Sequence, residues 1–216
     1  MKNKLSIPYL ILIINVLFLG CGPEKKENKN KLGSSALSLH VGDEKYFMID
    51  TKESVVAWKG FSLNGLNKHN GYVYISKGEL KIENGELRGG IVEIDMNTIE
   101  DKDHEHDNKL VNHLKSPDFF EIGKFPFSSI EITKVTSIND VDKEITGNLT
   151  IKGITHPVTF QIKMEVMDGI VKASGKLIIN RTKWYIHYKS GDLNDLLANN
   201  TISESIEFEI KIVAKK

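Results

Sequence analysis

The stretch PVTFQIKMEV alternates without a break. Val158, Phe160, Ile162, Met164 and Val166 fall on one side, and Thr159, Gln161, Lys163 and Glu165 on the other. A period of two admits a strand with one dry and one wet face, and excludes a helix. The same period recurs in EITGNLTIK, with Ile145, Gly147, Leu149 and Ile151 on the dry side. VKASGKLII presents Val171, Ala173, Gly175, Leu177 and Ile179, and IEFEIKIVA presents Ile206, Phe208, Ile210 and Ile212. Asn84-Gly85 and Asp168-Gly169 stand between such runs, and both dipeptides suit two-residue hairpins needing positive φ. The reading is all-β and antiparallel, with about eight to ten strands between residues 46 and 215.

One stretch departs from the period. From Asp103 to Ser116 there is no alternation, Leu110, Val111 and Leu114 take helical spacing, and Pro117 ends the run. A short helix over about 104–116 would cap a barrel or the open end of a sandwich. Small residues on the dry faces, such as Gly147, Ala173 and Gly175, let a sheet curl and leave room inside it. The periodicity leaves both architectures open.

The chain ends differ in kind. MKNKLSIPYLILIINVLFLGC begins with Lys2 and Lys4 and runs apolar from Ile7 to Leu19. As a helix that run is about 20 Å long, short of a bilayer core of about 30 Å. A charged start, a short apolar run and a small residue before a break read as an export signal over residues 1–20. Cys21, the single cysteine, follows Gly20 as in a bacterial lipobox, so it is the expected lipid anchor. Residues 21–45 read as a lipidated cysteine and flexible tether, whose polar stretch 22–38 can roam about 20–25 Å, and 46–216 as the folded domain. The expected location is a membrane, facing the periplasm.

Composition narrows the function. There are 29 basic and 29 acidic residues, so no strong field gathers nucleic acid. Without residues 1–20 the count is 27 basic against 29 acidic, net −2. One cysteine excludes an internal disulfide and a thiolate zinc site. No GxSxG, no Ser-His-Asp set and no glycine-rich phosphate loop occurs, so no catalytic residue is assigned and no cofactor is expected. His104, His106 and His113 lack the i, i+4 spacing of helical metal ligands and read as helix surface, with a metal-dependent hydrolase as the alternative. His69-Asn70-Gly71 suggests a hairpin or bulge. Residues 180–192, with Arg181, Trp184, Tyr185, His187 and Tyr188, suit equally a recognition surface or a strand with an aromatic inner face.

Seven segments in order, SVVAWKG, HNGYV, GELRGGIVEIDMNTIED, KLVNHLKSPDFFEIGKFP, GNLTIKGITHPVTF, INRTKWYIHYKSGD and ISESIEFEIKIVA, resemble the YceI-like family of polyisoprenoid-binding proteins. The resemblance runs from about residue 47 to 215. It implies a lipocalin-like antiparallel barrel whose lumen holds an isoprenoid or other long-chain lipid, without catalysis. Asn180, Tyr185 and Lys189 depart from the pattern, where an Asp and small glycines are usual. The expected lumen wall comprises Trp58, Val158, Phe160, Ile162, Met164, Leu177, Ile179, Trp184, Phe208 and Ile210. A filled barrel serving as a protein-interaction module is a further alternative.

Overall fold

Among the described residues, four hairpin turns set the topology. Asn84-Gly85 and Asp168-Gly169 both adopt positive φ, as their residue types demand. Lys152-Gly153 makes the same turn with φ of 50° and 71°, although lysine carries no turn signal. At the fourth, Asn139 Oδ1 accepts from the main-chain N–H of Val141 and Asp142. The computed structural model describes residues 37–62, 68–102, 109–190 and 202–216.

Nine strands follow: β1 (Tyr46–Ile49), β2 (Val55–Ser62), β3 (Lys68–Glu83), β4 (Glu86–Asp101), β5 (Phe127–Ser137), β6 (Asp142–Ile151), β7 (Ile154–Met167), β8 (Ile170–Asn180) and β9 (Ile202–Lys215). From β2 to β9 each strand pairs antiparallel with the next, apart from the β2–β9 pair that closes the ring. The result is an eight-stranded closed barrel, which has no free sheet edge. β1 continues the line of β2 beyond a corner at residues 50–54, and pairs with β3 and β9. In that corner Ser54 Oγ accepts from the Val213 N–H at 2.9 Å and donates to the Val213 carbonyl at 3.2 Å, replacing ladder bonds lost at the break.

The long strands β3 and β4 bend through register shifts near Tyr72–Tyr74, Ile75–Lys77 and Lys81–Ile82. His69-Asn70-Gly71 lies inside β3 rather than at a hairpin, directly before the first of these shifts. A side chain at Gly71 would sit 1.7 Å from the Glu100 carbonyl oxygen and 2.8 Å from the Trp58 ring. The glycine therefore records a close approach of three strands, not a turn.

The helix α1 (Lys109–Lys115) ends where Ser116 Oγ donates to the His113 carbonyl, just before Pro117. With Phe119 and Phe120 it covers the end of the barrel where β2, β4, β6 and β8 finish and β9 begins. A 3-10 turn (Arg181–Trp184) folds across the same end.

At the opposite end the barrel is plugged. Phe47, Ile49, Ile75, Ile82, Met164, Val171 and Ala214 pack there into one buried cluster. Lys143 also points inward and is buried. Its ammonium donates to the Asn139 and Asp140 carbonyls at 2.6 and 3.0 Å, stitching the β5–β6 turn over the plug. Of the segment expected as tether, residues 37–45 lie against the outside of β3. The buried carboxylate of Glu79 accepts from the His40 N–H at 2.7 Å and pairs with its ring nitrogen at 2.6 Å, while the ring stacks on Tyr46. Lys77 donates to the Leu37 carbonyl. A buried carboxylate left alone would be costly, so this stretch is held to the wall.

Candidate functional site

The inner faces of the strands do not meet in the middle. Between the plug and the cap lies a cavity of about 380 Å³, within the range of sites that enclose one small ligand. Its floor is Leu80, Leu87, Val92 and Ile145, and its cap side is Leu110, Leu114, Phe119 and Phe120. A row of three cross-strand neighbours forms one wall: Trp58 opposite Phe208, and Phe208 opposite Leu177. The alternation read from the sequence aims these side chains inward, and the small residues Ala173 and Gly175 beside them keep the space open.

Six of the ten expected wall residues line this cavity: Trp58, Phe160, Ile162, Leu177, Phe208 and Ile210. The other four do not. Met164 faces inward too, but at the depth of the plug, where the lumen is already filled. Val158 and Ile179 face inward at the capped end and pack into the cluster around Trp184. Trp184 itself is 1% exposed, with its indole N–H donating to the Leu149 carbonyl at 3.2 Å. Alternation gives the face of a residue and not its depth along the barrel, which is why Val158, Met164 and Ile179 read alike with the rest; Trp184 lies beyond the alternating run, in the turn Arg181–Trp184.

Polar lining groups gather towards the capped end. His69, Arg181, Lys189, Ser62 and Ser203 all reach the cavity there. Arg181 is 1% exposed. Its guanidinium donates to four main-chain carbonyls, those of Ser203 (3.0 Å), Ile186 (2.6 Å), Tyr188 (2.9 Å) and Ile202 (3.1 Å), and it lies 5.8 Å from the Phe119 ring centre. Burial pulls its pKa below the ordinary arginine value, and the charge of Glu204 works the other way. The guanidinium stays protonated regardless. It thus ties residues 186–188 to the start of β9. Asn180 prepares this turn by accepting from the Thr182 N–H and hydroxyl at 2.9 and 2.7 Å. Neither Arg181 nor Lys189 stood out as a wall residue in the sequence, because alternation stops at Asn180.

Of the three histidines weighed as metal ligands, His104 and His106 lie outside the described residues. His113 is packed edge-on against Phe119 and Tyr188, at 5.1 and 4.4 Å between ring centres. Among the described residues no group of three His, Cys, Asp or Glu side chains is arranged to hold a metal ion. Cys21 also lies outside the described residues.

Comparison with known proteins bears on the whole domain. A family model described as a YceI-like domain matches residues 47–214. A UPF0312 protein of Shewanella denitrificans is 31% identical over 137 residues, 60% of this chain and 68% of that protein. A UPF0312 protein of Pseudomonas paraeruginosa is 40% identical over 73 residues, which span only 36% of its length. Among solved structures, BcnA of Burkholderia cenocepacia superposes with a TM-score of 0.63 at 18% identity, over 77% of this chain and 99% of its own. A structure described as a polyisoprenoid binding domain from Saccharophagus degradans superposes with a TM-score of 0.61 at 12% identity, over 79% of this chain and 98% of its own. At these identities both share the fold.

Proposed function

This chain belongs to the YceI-like family, and from that footing we propose that it is a non-catalytic carrier of one isoprenoid or other long-chain lipid. The observation that carries the reading is the apolar cavity inside the closed barrel. A hydrocarbon chain in water costs about 0.8 kcal/mol per methylene, so even a short prenyl chain costs about 10 kcal/mol to expose. A cavity walled by Trp58, Phe160, Leu177 and Phe208 removes that penalty during passage through water. The ligand class is carried over from the Saccharophagus domain, which is described as polyisoprenoid-binding.

The carrier works beside a membrane. Cys21, set behind the apolar run Ile7–Leu19, is the proposed acylation site, and two or three acyl chains give a stable anchor where one does not. The proposed location is the periplasmic side of a bacterial membrane. Native mass spectrometry of the full chain, extracted from membranes in mild detergent, tests the reading. The expected spectrum shows a lipid adduct at one copy per chain, released by collisional activation. A chain that is repeatedly bare in that experiment ends the carrier reading.

A further inference from the structure

The cavity is chemically lopsided. Its floor and middle are aliphatic and aromatic, while its two charged lining residues, Arg181 and Lys189, are both cationic. Among the described residues no Asp or Glu lines it. Arg181 spends its donors on main-chain carbonyls, which fixes its charge in place without neutralising it. Lys189 is different. Its backbone is pinned, with its carbonyl accepting from the Ile202 N–H at 2.9 Å, and it holds φ at 47°. That conformation suits glycine and disfavours a long side chain. Its ammonium rests 5.5 Å from the centre of the Tyr188 ring and pairs with no carboxylate among the described residues. Lys189, half-buried, therefore sets a cationic group in a strained backbone position at the polar end of an apolar cavity.

We propose that Lys189 is the head-group contact for a single-chain anionic amphiphile, with a carboxylate or phosphate head, whose tail fills the cavity. Arg181 supports it by holding residues 186–188 and 202–203 rigid and by adding a second fixed positive charge. A neutral alcohol head offers Lys189 no anionic partner, and an amine head is repelled by the two cations. A charge-assisted hydrogen bond discriminates an anionic from a neutral head by about ten-fold. This inference rests on the carrier reading and adds to it the chemistry of the head.

The test is calorimetric titration of the full chain in detergent-free nanodiscs with dodecanoate, dodecyl phosphate, dodecanol and dodecylamine, each kept below its micelle threshold. The two anions are expected to bind at least ten-fold more tightly than dodecanol, with dodecylamine weakest. Lys189→Gly should erase that preference, bringing the anions down to the affinity of dodecanol. It also suits the local φ, so folding is not at risk. Lys189→Arg should keep the preference. Dodecanoate ahead of dodecyl phosphate would name a fatty acid as the ligand, and the reverse order a phosphorylated lipid. Equal affinity for dodecanol and the anions, or a preference that survives Lys189→Gly, overturns the head-group assignment and leaves the carrier standing. Failure of all four to bind overturns both.

Discussion

Gly71 is the narrowest point in the wall. Trp58 packs over it and donates its indole N–H to the Glu100 carbonyl at 3.2 Å, so β2, β3 and β4 are fastened together through one missing side chain. Gly71→Ala forces a methyl group into backbone that cannot retreat. The expected cost is about 3 kcal/mol, seen as a lower urea midpoint at unchanged m-value; an unmoved midpoint would mean that the strands do not approach so closely. The sequence shows the glycine but suggests a hairpin or bulge, because the signal of a close approach is identical to the signal of a tight bend; the bulge-like register shift lies one residue further on. Lys189 teaches the same lesson in reverse. In the sequence Lys189 stands only as a departure from a usual glycine, and the fold brings it to the lumen.

At the scale of elements, the strands were legible wherever one face is wet. β6, β7, β8 and β9 alternate strictly over most of their length, so their faces follow from the side chains alone, as does the Asp168-Gly169 hairpin. Two features were not legible. The interruption between β1 and β2 has no strong turn dipeptide, since it is completed from afar by Ser54 bonding to Val213. The depth at which the lumen fills depends on residues distant in sequence, which is why Met164 and Leu177 read alike. The same corner makes a pH prediction. Lys215 donates to Asp50 and to Glu53, each at 2.6 Å. That bond chiefly lowers the Asp50 pKa below its ordinary 3.8 and raises that of Lys215 above its ordinary 10.5. A lowered carboxylate pKa stabilises the fold above the unfolded value and loses that contribution as pH falls through the folded one. A raised lysine pKa contributes below its unfolded value and fades as pH rises through the folded one. The stability gap between wild type and Asp50→Asn should therefore be widest from about pH 5 to 9 and close on both sides. Thermal melts across pH measure it, and a gap that persists unchanged at pH 2 would contradict the clasp.

For the molecule as a whole, the balance between filled and hollow decides what the barrel does. Leu177→Trp adds a ring to the middle of the wall row formed with Phe208 and Trp58. In a hollow barrel the ring takes the space of the ligand, so lipid uptake should fall more than ten-fold while stability moves by only about 1–3 kcal/mol. Uptake read by displacement of a fluorescent fatty chain, beside a urea melt of the same variant, checks both halves. Undiminished uptake would place any bound lipid elsewhere. The plug has its own consequence. With Lys143 sewn to the β5–β6 turn, and Phe47 and Val171 packed beneath the cavity floor, the barrel is a sac and not a pipe. On the carrier reading proposed above, a molecule that goes in tail-first backs out the way it came. Loading and unloading are then one motion run in two directions, and the receiving surface has to meet the same lip as the donor.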